Sequence, residues 1–202
     1  MHPRDPSKRT TWRPIAIVGA IVLVSMLAIT LVRRPFPSDR TPDGAYMRVA
    51  QSVAQDDPRS FFAYLETEAQ WACFTIHDMR AKASKRIAQS YPEPRRSEML
   101  AQYKGAADAA DGSDVFALLY QERGWARRLR KDLSGVANVE TEGERASVVT
   151  ARGTRWPFRR RENGIWGLTI FTAELVADAE KATRDLAVVV VAADDYERAR
   201  LK

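Results

Sequence analysis

The sequence predicts an α+β chain, with an N-terminal transmembrane helix, then helices followed by a twisted antiparallel β-meander, and a long C-terminal helix. Three observations predict it. An uncharged apolar run fills Ile15 to Val32. Apolar residues then recur at helical spacing from about residue 45 to residue 133. Alternation of period two follows, up to about Phe171, and a heptad seam occupies the rest. The expected organisation is a basic N-terminal tail (1–14), a transmembrane helix (15–32), a Pro-rich linker (33–44), an α+β soluble domain (45–171) and the long C-terminal helix (172–202).

The apolar run has 18 positions without a charge. At 1.5 Å per residue it spans roughly 27 Å, close to the hydrocarbon thickness of a bilayer. Ile15, Ile21, Leu27 and Val32 mark its length, Trp12 is placed for the headgroup layer, and Arg13, Arg33 and Arg34 close its ends. A cleaved signal peptide has a shorter core and a small-residue cleavage site. Here the core runs into Arg33-Arg34-Pro35, so the segment reads as a retained anchor. Arg4, Lys8, Arg9 and Arg13 precede it, while Arg33, Arg34, Arg40 and Arg48 follow, so the positive-inside count is nearly balanced. Short basic tails usually stay in the cytoplasm. The expectation is a single-pass membrane protein with its N-terminus cytoplasmic and its domain extracytoplasmic, in a bacterium periplasmic.

Prolines 35, 37 and 42 make the linker stiff. The folded domain is expected to begin near Asp43 or Ala45. Tyr46, Val49, Ala50 and Val53 form a helical stripe, and Asp57 before Pro58 is placed to cap the next helix. Phe61, Phe62 and Leu65 should face inward. A longer helix is expected from about Glu66 to Gln89, burying Trp71, Phe74, Ile76 or His77, and Ile87, and ending at Tyr91-Pro92-Glu93-Pro94. Shorter helices are expected over about 95–104, after a cap at Ser113 or Asp114, and over Trp125 to Leu133.

Val136 to Thr141 reads as a strand. Ala146, Val148 and Thr150 alternate with polar neighbours, and Arg152-Gly153-Thr154 turns the chain. Trp156 and Phe158 then alternate with arginines. Asn163-Gly164 fits a type I′ hairpin turn before Trp166, Leu168 and Ile170. The meander should have an aromatic face and an arginine face, with Pro157 at an edge or bulge. Thr172 is expected to cap the last helix. Leu175, Ala179, Ala182, Leu186, Val189, Ala193 and Tyr196 give it a heptad seam, against the strand preference of Val188 to Val191. At roughly 40 Å this helix should outreach the body of the domain.

Ala45-Tyr46-Met47-Arg48-Val49-Ala50, then Asp56-Asp57-Pro58 leading into Phe61-Phe62, and the meander from Glu144 to Phe171 resemble the NTF2-like cone fold, over roughly residues 45–171. Membrane-anchored versions of that fold occur in bacterial envelopes. The resemblance implies a concave sheet whose pocket Trp156, Phe158 and Trp166 would line. It carries no reaction with it, because the family holds both enzymes and non-catalytic members.

Residues that could carry chemistry are few. Cys73 is the single cysteine, so no intrachain disulfide is possible, and it reads as a small buried residue. His77 is the only histidine after the tail, and no metal-ligand spacing or Gly-rich phosphate loop is present. No cofactor is expected. The pairs Asp56-Asp57 and Asp194-Asp195 read as caps and solvated helix faces, although a carboxylate with a tyrosine in a cone-like pocket could transfer a proton. Net charge is +6, but from Arg33 onward 28 basic residues face 25 acidic ones. So mild a basicity is weak evidence for nucleic-acid binding, and nucleic acid is not the expected partner. Arginine clusters at Arg127, Arg128 and Arg130 and at Arg159, Arg160 and Arg161 read first as solvated helix and strand faces offset by Glu140, Glu142, Glu144 and Glu162. With Trp125, Trp156 and Phe158 nearby they could otherwise contact protein, anionic lipid or a polyanion such as single-stranded nucleic acid.

These features together lead to a non-catalytic membrane-tethered domain that mediates protein contacts at the cell envelope. The bilayer is one partner. A protein partner or a second copy is expected through the C-terminal helix, anchored by Leu175, Leu186, Val189 and Tyr196. Two alternatives are an apolar-ligand or proton-transfer pocket in the sheet, and a cytoplasm-facing basic domain on anionic lipid or nucleic acid.

Overall fold

A computed structural model describes residues 37–201. The anchor residues Trp12, Ile15, Ile21, Leu27 and Val32 lie outside them. Among the described residues no helix is long and apolar enough to cross a membrane.

Helix α1 (Pro42–Gln55) begins where Thr41 accepts a hydrogen bond from the Gly44 amide and Pro42 occupies the first turn. It ends at Asp56, held in the left-handed region at φ 54°. The fold therefore starts earlier than the expected linker boundary at residue 44. Trp166 donates its amide to the Asp39 carbonyl (3.2 Å) and its indole N–H to the Arg40 carbonyl (3.1 Å). Gly44 is required there, since a Cβ would sit 2.0 Å from the Ser38 carbonyl oxygen.

Asp57 caps the short α2 (Pro58–Phe62) through the Ser60 amide, as expected. Phe61, Phe62 and Leu65 are buried behind it. Helix α3 (Thr67–Ser90) buries Ala69, Ala72, Cys73, Ile76, Ala83 and Ile87. Trp71 and Phe74 fall off that stripe and are exposed, contrary to expectation. Helix α4 (Arg95–Ala107) follows the Tyr91–Pro94 break. Helix α5 (Gly112–Glu122) is capped by Asp111, ahead of the expected Ser113 or Asp114, with its carboxylate taking both of those amides. Helix α6 spans Trp125–Asp132.

Four strands form one antiparallel sheet in sequence order: β1 (Val136–Glu142), β2 (Arg145–Thr150), β3 (Arg155–Arg160) and β4 (Trp166–Leu168). Ala146, Val148 and Thr150 on β2 and Trp156 and Phe158 on β3 all point into the core. Pro157 lies in an inner strand, not at an edge. The β3–β4 ladder stops at the pair Phe158–Leu168, one position before Pro157, which has no N–H to extend it. The Asn163-Gly164 turn is not type I′ either. Only Gly164 has positive φ (82°), and its amide bonds back to the Arg161 carbonyl, which is the three-residue hairpin loop closed by a left-handed glycine.

Helix α7 (Thr172–Arg200) runs unbroken through Val188–Val191. Its neighbours decide in favour of helix, because the seam is buried against α3. Leu175, Ala179 and Ala182 join the main core, with Phe61, Phe116, Trp125 and Phe171 at its centre. Val189 and Ala193 join a second cluster with Ala83, Ile87, Tyr91 and Tyr103, against which Leu186 and Tyr196 pack. Ion pairs pin the two helices together: Arg80–Asp185 at 2.7 Å, and Arg86 with Asp194 at 2.5 Å and Glu197 at 2.6 Å. The expected overhang of this helix is instead covered by α3. The seam residues proposed as partner anchors are internal packing.

Candidate functional site

The residues expected to line a ligand pocket do not share one; of the three, Phe158 alone borders an open depression of about 330 Å³, with Ala146, Pro157 and Arg159. Trp156, Phe158 and Trp166 are all buried, and the Trp156 ring packs edge-on against Tyr46 at 5.3 Å. Tyr46 is fixed in turn by donating to the Ser134 carbonyl at 2.8 Å. Helix α1 therefore fills the inner face of the sheet with side chains.

The arginine clusters divide into tied and open members. Arg128 lies over the Phe171 ring, and Arg130 donates to the Val53 carbonyl and pairs with Asp56 at 3.2 Å. Arg161 donates to the Ala63 carbonyl (2.8 Å) and to Gln70 (3.1 Å), and burial pulls its pKa below the usual arginine value. Arg159 pairs with Glu66 at 3.1 Å. Arg127 and Arg160 are exposed and have no ion pair among the described residues.

Glu66 is the organising residue of the second cluster. It is buried, pairs with Arg159, and accepts the Thr172 hydroxyl at 2.8 Å. That bond takes the hydroxyl away from the capping role expected for Thr172. Backbone bonds hold Glu66 in place: its amide donates to the Leu168 carbonyl, and the Leu168 amide donates to Tyr64. Gly167 permits this approach, since a Cβ there would meet Glu66 Cα at 2.7 Å. The loop before α3 is thereby stitched to the outer end of the sheet.

An open cleft of about 750 Å³ results, between the start of α3 and the β3–β4 hairpin. Glu66, Glu68, Trp71, Glu144, Arg159, Arg160, Arg161, Glu162 and Asn163 line it. Trp71 stands 66% exposed, with Phe74 tilted against it at 6.0 Å and Phe74 in turn edge-on to the buried Phe62. A large aromatic is thus held on a rigid helix beside free and paired guanidinium groups. Helical periodicity alone assigned Trp71 to the core, and its place outside the 69–72–73–76 stripe was the signal that could have corrected this.

The acidic pairs singled out in the sequence have structural partners: Asp56 pairs with Arg130, Asp194 with Arg86 and Asp195 with Arg198. Asp57 and Asp111 cap helices, and hydrogen bonds from Ser60 and Ser113 hold their pKa values down. Burial pushes the Cys73 thiol up to about 12. Burial also raises the Tyr120 hydroxyl to about 12, and among the described residues this group has no hydrogen-bond partner.

No protein-family model matches the chain, and neither the curated proteins nor the solved structures provide a match.

Proposed function

We propose that the chain is a non-catalytic, single-pass membrane-tethered domain that mediates protein–protein contacts at the cell envelope, as a subunit or accessory of a membrane complex. The exposure of Trp71 at the mouth of the arginine-bearing cleft carries this reading. Tryptophan and arginine dominate the energetics of protein interfaces, and an exposed tryptophan on a rigid helix loses little entropy on binding. The cleft suits a segment with an apolar anchor for Trp71 and a carboxylate for Arg160. The contact surface is then this cleft, and not the seam of α7.

The apolar run from Ile15 to Val32 supports the tether, and the short basic tail supports an extracytoplasmic domain. The placing of the carboxylates in caps and ion pairs, and the raised pKa of Cys73, support a role without catalysis. A likeness to the NTF2-like cone remains part of the proposal as a description of the frame. The helices preceding a sequential antiparallel meander support it, and the filled inner face gives it no ligand site.

A photoreactive amino acid at position 71 tests the contact in living cells. The expected result is a discrete cross-linked protein that is lost with Arg160→Glu and absent when the same probe stands at Lys104. Equal labelling at both positions, or none at 71, would overturn the assignment of the cleft.

A further inference from the structure

The outer face of α7 breaks the pattern of its own helix. Its exposed positions on either side are charged: Glu180, Lys181 and Arg184 before, Asp194, Asp195 and Arg198 after. Between them Val188 and Val191 stand 68% and 62% exposed. With Ala187, Ala192 and Asp195 they line an open apolar depression of about 380 Å³. β-branched residues lose rotamer freedom in a helix, and at these two positions little packing within the chain offsets that cost. Alanine or a charged residue would serve a solvated face better.

We propose that this face pairs two copies of the chain through an antiparallel α7–α7 contact, an inference that rests on the membrane-tethered reading because the patch is small. The charge pattern selects the occupant. Arg184 stands one turn before Val188, and Asp195 one turn after Val191. A two-fold axis between positions 188 and 191 sets Val188 of each copy against Val191 of the other. The same axis brings Arg184 of each copy to Asp195 of the other, and Glu180 to within one residue of Arg198. In the single chain these four pair along their own helix, Arg184 with Glu180 and Arg198 with Asp195. Such self-complementarity is what an isologous contact requires. A parallel pairing would instead set Arg184 against Arg184. An anionic lipid surface would favour a basic rim, whereas this rim carries both signs in equal number.

A few small residues per copy fall well short of the roughly 800 Å² per partner typical of a stable complex. Confinement of two copies to one bilayer raises their effective concentration and makes a weak contact sufficient.

The test uses the full chain in membranes. Cys73 is buried with a raised pKa, so Val191→Cys supplies the reactive thiol for a short bismaleimide. The expected result is a cross-linked dimer at 191 and none at Ala173→Cys, whose two copies would be roughly 50 Å apart in the antiparallel arrangement. In the Val191→Cys background, Arg184→Asp or Asp195→Arg alone should lower the dimer several-fold, and the two together should restore it. No dimer at 191, an equal dimer at 173, or a double swap without rescue would each overturn the proposal. A fluorophore at 191 that shifts to the blue on vesicles, without any dimer, would assign the face to lipid and also overturn it. Sedimentation of the same sample reads the tether separately. Chains that pellet with membranes yet do not cross-link refute the pairing alone, and chains that stay in the supernatant refute the tethered reading.

Discussion

At the scale of single residues, Gly167 and Trp71 mark the two kinds of importance in the cleft. Gly167 is there for space. A methyl group in Gly167→Ala would meet the backbone of Glu66, which cannot rotate away. Overpacking of this kind costs about 1–3 kcal/mol, so the urea midpoint of Gly167→Ala should fall without a change of slope. Trp71 supports no core. Trp71→Ala should leave stability within about 0.5 kcal/mol, as surface changes do, while abolishing the partner cross-link from a photoreactive probe placed at Glu162 in the same cleft. Equilibrium unfolding and the cross-linking yield, measured on one preparation, separate the two effects. Neither residue was legible in the sequence. Aromatics at helical spacing were read as core, and a glycine between Trp166 and Leu168 gives no hint of a loop stitched to it from a hundred residues away. Asp57 was legible, because a cap is decided by neighbours three residues on.

At the scale of elements, α7 shows how a pattern can be right and its occupant wrong. The heptad seam at Leu175, Ala182, Val189 and Ala193 was readable, since burial of one stripe must recur every three or four residues. What covers the seam was not readable, because α3 has the same stripe and lies far away in sequence. Val189→Ala should therefore lower stability, by about 0.5–2 kcal/mol for two lost methyl groups, rather than weaken an association. Thermal or urea unfolding checks this. The outer end of α7 is also held by carboxylates with lowered pKa values. Hydrogen bonds from Arg86 and Ser90 lower Glu197. For Asp185, burial raises the pKa, but bonds from Lys181 and Arg80 outweigh it. Carboxylates lowered in the folded state add stability that is present above their ordinary pKa and is lost as pH falls through the lower native values. As pH falls below the ordinary carboxylate pKa of about 4, amides around Val189 to Tyr196 should lose hydrogen-exchange protection before those around Phe61 and Phe116. Simultaneous loss of both sets would show that these ion pairs add nothing local.

At the scale of the whole molecule, the order of elements was legible from Pro42 to Arg200, because periods of 3.6 and 2 are distinct over segments this long. The inner face of the sheet was not. Alternation places Trp156 and Phe158 on one face but cannot say whether a ligand or α1 fills the space before it. Tyr46 fills it, from a helix 110 residues upstream of Trp156. The resulting domain has a filled sheet, an aromatic and arginine cleft at one end and an apolar strip on its last helix. These surfaces fit the contact role proposed above better than chemistry in a pocket. That account depends most on tethering and sidedness. The most direct test is a C-terminal tag on the full chain, with alkaline carbonate extraction and protease treatment of spheroplasts and lysed cells. The account predicts that the tag stays in the carbonate pellet and is digested in intact spheroplasts while a cytoplasmic marker survives. Release into the carbonate supernatant, or protection of the tag until lysis, would contradict it.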